Sequence, residues 1–185
     1  MERFIVLLRG INVGGKNIVS MPRLKELLER SGYQDVQTYI NSGNIFFSSD
    51  ITDEKKLKEE LESIIGDAFQ LRIPVMIITA NDLLSALDRA PSWWGQDKDS
   101  THNAIFILPP VTFEELSKEI GEINSEYERI DHYGSVVFWS AYIKTYSRTR
   151  WSKLVGTSLY HSITIRNMNT FRKISQIAKQ YLEQV

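Results

Sequence analysis

Apolar positions along this chain alternate between short unbroken runs and stripes of helical period. Residues 3–9 (RFIVLLR) are a continuous apolar run closed by Gly10, the pattern of a strand buried on both faces. A polar loop, residues 10–20, follows. Leu24, Leu27 and Leu28 then share one helical face, with Ser20 as the expected N-cap, Pro22 in the first turn and Gly32 as the stop. Residues 36–41 and 44–48 read as two strands around a Ser42-Gly43 turn. Leu57, Leu61, Ile64, Ile65, Ala68 and Phe69 mark a helix over 53–69. Residues 74–79 form a further strand, its proline at the tolerated first position, and Asn81 is the expected cap of a short helix carrying Leu83, Leu84 and Leu87.

The order β-α-β-β-α-β is that of a ferredoxin-like split βαβ unit. The second half repeats it in pattern, without residue identity. A strand at 104–108, a helix at 112–124 and a hairpin of 127–133 and 136–142 come first. A short helix near 151–159, a strand at 161–166 and a helix at 170–182 complete the repeat. The expectation is therefore an α+β protein of two tandem ferredoxin-like (βαββαβ) subdomains with antiparallel sheets. These span residues 1–90 and 104–185, joined by a connecting segment, 91–103, that holds Trp93 and Trp94.

Composition changes this picture mainly by exclusion. With 42% hydrophobic and 24% charged residues among 185, the chain is of globular type. Its 22 basic and 23 acidic side chains give a net charge of −1, which removes any global pull toward nucleic acid or an acidic membrane. The absence of cysteine excludes disulfide scaffolds, thiolate metal sites and cysteine nucleophiles. His102, His132 and His161 form no metal spacing, so no metal site is expected and each reads as structural or exposed. No signal-peptide core and no apolar run near 18 residues is present, so a cytoplasmic protein without a membrane span is expected.

The chemistry that remains lies in loops. Gly10, Gly15 and Lys16 fit the spacing of a phosphate-binding P-loop after a strand. Asn17 stands where a magnesium-binding hydroxyl belongs, the helix starts too late for Lys16 to enter its first turn, and the element order implies an antiparallel sheet. Without being a P-loop, the segment still offers Gly14 and Gly15 for close backbone approach and Lys16 for charge. In a sheet of order 4-1-3-2, strands one and three are antiparallel neighbours. The loop bearing Arg9, Asn12, Gly14, Gly15 and Lys16 then meets the turn bearing Asn41, Ser42 and Asn44 at one edge. A second polar string, Arg166, Asn167 and Asn169, opens the last helix, where Asn169 or Thr170 is the expected cap. Arginine beside free helix N–H groups suits a phosphate or carboxylate.

Residues 7–17 (LLRGINVGGKN), 38–44 (TYINSGN) and 166–170 (RNMNT) resemble the signature stretches of a bacterial family catalogued as domain of unknown function 1697. The resemblance spans essentially the whole chain. It implies a cytoplasmic protein of two related α+β, ferredoxin-like subdomains and no established activity, and its signature residues are the polar ones above. Where the family usually carries tryptophan this chain has Met168, which favours a packing role there.

Taken together, the expected function is binding of a small anionic or phosphorylated ligand. No catalytic set and no cofactor is identified, and the sequence does not give the oligomeric state. One alternative is single-stranded nucleic-acid binding by residues 144–153 (KTYSRTRWSK), whose basic residues surround Tyr146 and Trp151. The bland reading of that segment is a solvated face around a buried tryptophan. An RNA-recognition sheet is a poor match, because Phe4 lacks a second stacking partner and the adjacent Phe46 and Phe47 face opposite ways. The other alternative is a protein-interaction scaffold using Trp93 and Trp94, which otherwise cover the seam between halves.

Overall fold

The computed structural model describes residues 1–183. It holds two four-stranded antiparallel sheets, with helices, as expected of an α+β chain. Contacts divide it into two compact units, Met1–Leu84 together with the chain from Ile174 onward, and Ser85–Lys173.

In the first unit, β1 (Glu2–Leu8), α1 (Met21–Arg30), β2 (Gln34–Tyr39), β3 (Asn44–Ser49), α2 (Glu54–Phe69) and β4 (Val75–Thr79) follow one another. The sheet order is β2-β3-β1-β4, the 4-1-3-2 order expected from the pattern. Phe4 to Leu8 are at most 1% exposed, so the apolar run is buried on both faces. Phe4, Val6 and Leu8 pack with Ile45 and Phe47 of β3 against Leu24 and Leu28 of α1 and Leu57, Leu61 and Ile65 of α2. Ser20 caps α1 as expected, accepting the Arg23 N–H. Asp53 caps α2 through Lys55 and Lys56. The cap of α3 (Ala80–Asp88) is Thr79, whose Oγ1 accepts from Asp82 N at 3.0 Å, and Asn81 lies inside the helix. Strand β2 ends two residues before its expected limit because Ile40 turns to φ 51°.

The second unit orders β5 (Ser100–Ile107), α4 (Phe113–Ile120), β6 (Glu128–Tyr133), β7 (Val136–Tyr142) and β8 (Ile163–Asn167), with sheet order β6-β7-β5-β8. Ile105, Ile107, Val137 and Trp139 pack on Leu116 of α4 and on Trp151 and Leu154. On the other face, Trp94 meets Phe138 and Phe171 edge-on, with ring centroids 5.1 and 5.5 Å away. Several structural details differ from expectation. Strand β5 starts at Ser100, inside the polar segment, and α4 stops at Gly121 (φ 81°) instead of continuing to 124. Three 3-10 turns, Ile143–Arg148, Trp151–Gly156 and Ser158–Ser162, replace the expected helix near 151–159. The last helix, α5 (Met168–Glu183), starts two residues early because Asn167 is its cap. Among the described residues no helix is long and apolar enough to cross a membrane.

Substitutions in each unit test this packing. At Gly43 (φ 80°) a Cβ would lie 2.7 Å from Leu8 Cβ, so Gly43→Ala is expected to cost about 2 to 3 kcal/mol in denaturant titration. Gly14 (φ 57°) faces open space, and Gly14→Ala should cost only about 1 kcal/mol by the same measurement. In the second unit, buried Glu128 accepts from Trp139 Nε1–H at 2.9 Å, Trp151 N–H at 3.2 Å and the Arg150 N–H. Glu128→Ala leaves those donors without an acceptor and should cost about 3 kcal/mol or more in the same assay.

Candidate functional site

The chain leaves β1 clamped on both sides. Leu8 N–H donates to Gly43 O at 2.8 Å and Arg9 N–H to Pro74 O at 3.1 Å. Gly10 (φ 63°) then turns the backbone away. Asn12 and Asn17 also take positive φ, 54° and 49°, a region asparagine tolerates better than most residues.

The side chain of Asn12 ties the loop together. Its Oδ1 accepts Val19 N–H at 2.9 Å, while its Nδ2 donates to Val19 O at 3.0 Å and to Asn41 O at 2.8 Å. Asn17 Nδ2 closes the loop from the other side on Gly10 O at 2.9 Å. Ile11 and Val19 are buried, so the loop is anchored by apolar side chains at both ends. Between them Lys16 N–H donates to Val13 O at 3.0 Å, and Gly14, Gly15 and Lys16 stand exposed at the tip. In the facing turn, fully buried Asn44 donates Nδ2 to Tyr39 O at 2.9 Å and Ser42 Oγ at 3.1 Å.

The loop and the turn therefore do converge, joined by the Asn12–Asn41 hydrogen bond. The asparagines do not all stand ready for a ligand, because Asn12, Asn17 and Asn44 satisfy backbone carbonyls. Lys16 sits five residues before α1 begins at Met21 and next to an antiparallel sheet, so the P-loop reading fails on geometry. Between Arg9 and Ser20, and across the turn 41–44, there is no carboxylate. The loop's charge, from Arg9 and Lys16, is positive only, and the turn is uncharged.

Arg166, Asn167 and Asn169 belong to the second unit. Arg166 is 7% exposed and donates to Thr164 Oγ1 at 3.0 Å and Ile165 O at 2.9 Å. Burial lowers its guanidinium to about 10, still far above neutrality, so it stays charged. Asn167 caps α5, accepting Thr170 N–H at 2.8 Å, which corrects the expected cap at Asn169 or Thr170. Asn169 is exposed. Met168 packs against Gly95, where a Cβ would approach its sulfur to 2.2 Å.

In residues 144–153 one aromatic, Trp151, is buried inside the unit and the other, Tyr146, is 41% exposed. Trp151 is 1% exposed and the Tyr146 ring lies 5.7 Å from that of Trp139, while Lys144, Arg148, Arg150 and Lys153 are exposed. Trp94 is a core residue of the second unit, its Nε1–H on Asn103 O at 3.2 Å, and Trp93 is half-buried.

One arrangement was missed in the sequence. His102 receives Gly95 N–H and the Ser140 hydroxyl at Nδ1 and meets Asp97 O through Nε2. The available signal was a polar stretch, Ser100 to Asn103, running directly into the apolar residues 104–107, and Ser140 set among apolar neighbours.

A family model described as "Protein of unknown function (DUF1697)" matches residues 1–138. A solved structure, that of conserved bacterial protein SP0830 from Streptococcus pneumoniae, is 32% identical, with a TM-score of 0.84. The match covers 96% of this chain and 98% of that one. No curated protein matches the chain.

Removing the Asn12 amide deletes three hydrogen bonds and puts a less tolerant residue at φ 54°. Asn12→Ala should cost about 3 kcal/mol in denaturant titration. Amide exchange at Val19 should accelerate with it. A variant as stable as the parent would show that the brace carries no weight.

Proposed function

The chain belongs to the family described as Protein of unknown function (DUF1697), and within that family we propose that it binds a small anionic or phosphorylated ligand. The ligand lies over the exposed Gly14-Gly15-Lys16 tip and the Asn41–Asn44 turn, with Arg9 at the root of the loop. One observation carries this reading: the 2.8 Å hydrogen bond from Asn12 to Asn41 fixes a cationic, carboxylate-free loop beside a second polar turn. Such a loop needs little ordering on binding, which favours affinity. The backbone N–H groups of Gly14 and Gly15, unobstructed by side chains, complement a Lys16 ammonium that acts as a point charge.

Asn12 is then a positioning residue and Asn44 supports the turn from beneath. Arg166, Asn167 and Asn169 enter only as a second set of donors on the other unit. Each half is read as a ferredoxin-like unit on its strand order. The working location is the cytoplasm.

A thermal-shift screen against inorganic phosphate, nucleotides, sugar phosphates and carboxylates tests the reading. At least one member should stabilise the chain, by about 2.7 kcal/mol at 100 times its dissociation constant. Lys16→Ala, at an exposed position, should weaken that member about tenfold, equivalent to ~1.4 kcal/mol. Affinity unchanged in both Lys16→Ala and Arg9→Ala, or no stabilisation by any member, contradicts the proposal.

A further inference from the structure

A second polar site stands on the second unit, built from none of the loop residues of the first. Cross-strand register places Arg129 opposite Ser140 and Ser140 opposite His102, a row across β6, β7 and β5 on one face of the sheet. Ser100 and Tyr142 pair in the next row on that face, and Phe138 and Ala104 in the row before it. The face thus changes from aromatic to polar along the strands. Over the polar part lies a cavity of about 260 Å³, also lined by Trp93 and Asp97 from the segment before β5.

His102 builds this cavity and does not act in it. Its Nε2 lies 2.6 Å from Asp97 O, an oxygen that can only accept, so Nε2 carries the proton. Nδ1 is then the acceptor for Gly95 N–H at 3.1 Å and the Ser140 hydroxyl at 2.6 Å. An imidazole so placed bolts the segment 93–97 to the sheet. A proton on Nδ1 would oppose the Gly95 N–H, which argues against His102 as a base for Ser140.

The two charged groups at the cavity are Asp97 and Arg129. Asp97 is held in place by Asp99 N–H at 2.8 Å on Oδ1 and by Ser100 Oγ at 2.7 Å on Oδ2. Those hydrogen bonds keep its carboxyl below the usual range. Arg129 is exposed, and among the described residues its guanidinium makes one long hydrogen bond, 3.5 Å to Tyr142 Oη. Among the described residues no ion pair within 4.0 Å joins Asp97 to Arg129. Opposite charges thus face one small cavity without neutralising each other. A plain anion meets Arg129 but is repelled by Asp97, and a plain cation meets the reverse. A ligand carrying both charges satisfies both.

We propose that this cavity binds a small zwitterion of the α-amino acid class, its carboxylate on Arg129, its ammonium on Asp97 and its side chain against the Trp93 ring. Isothermal titration of the full chain with the twenty free amino acids, and with the N-acetyl and amide derivatives of any that bind, tests it. At least one free amino acid should bind, with both derivatives at least tenfold weaker. Arg129→Gln, at an exposed position, should weaken it at least tenfold, as should Asp97→Asn, while Lys16→Ala leaves it unchanged. That last arm separates this site from the loop on the first unit. No binding at millimolar concentration, equal binding of the N-acetyl derivative, or full affinity in Arg129→Gln would overturn the proposal.

Discussion

Each sheet hangs on a central strand that must bury both faces, and the length over which it does so decides where polar chemistry can stand. In the first unit β1 is apolar and buried from Phe4 to Leu8, with α1 and α2 on one side and Ile5 and Leu7 equally buried on the other. No polar side chain fits on such a strand without an internal partner. Polar residues are therefore displaced past its end, where Gly10 turns the chain out. In the second unit β5 is buried only from Ala104 onward, and Ser100 to Asn103 are half-buried. Polar groups there stand on the sheet itself. One strand order thus puts polar groups on a loop edge in one half and on a sheet face, under a cavity, in the other.

The loop at the end of β1 shows how much polar side-chain chemistry goes into building the loop itself. Asn12 and Asn17 occupy left-handed backbone and close their own loop, and Asn44 is wholly buried beneath the turn. A chain with alanine in their place would have neither the backbone shape nor the amides. What they leave outside is a short tip of two glycines and a lysine, its geometry set before any ligand arrives. Rigidity of this kind matters because a flexible loop would lose several residues' worth of conformational entropy on binding.

The strand order and the long helices were legible because the apolar period is clear along 3–79: Ser20 was expected as a cap and is one, while Asp53, expected as the first helical residue, is the cap just outside it. Convergence of the loop and the turn was legible too, since it follows from strand order alone. The division of labour among the asparagines was not, because a residue that satisfies a backbone and one that satisfies a ligand look the same in sequence. Strand β5 was placed four residues late, since Ser100 and His102 are polar on a face that turns out to be a cavity floor. Arg166 invited reading as an exposed prong, yet in β8 it is the arginine that is buried and Ile165 that is 37% exposed. Strand parity overrides residue polarity there, and parity needs the register that only the sheet supplies.

The edge of the first sheet explains why the chain from Ile174 onward belongs to that unit. Strand β2 is an edge strand, and its register shifts between Gln34 and Gln37, where Asp35 takes φ 53°. Such a bulge leaves a carbonyl without a ladder partner and keeps the edge from pairing with another chain. Tyr181 of α5 supplies the missing donor, its hydroxyl 2.6 Å from Asp35 O. Its ring lies 6.4 Å from Phe46 and beneath the guanidinium of Arg3, 4.5 Å from the ring centroid. Burial raises the phenol above its ordinary range, so it remains a donor at any physiological pH. Residues near both ends of the chain, Arg3 and Tyr181, thus complete one core, and the first unit closes its edge only when the last helix has been made.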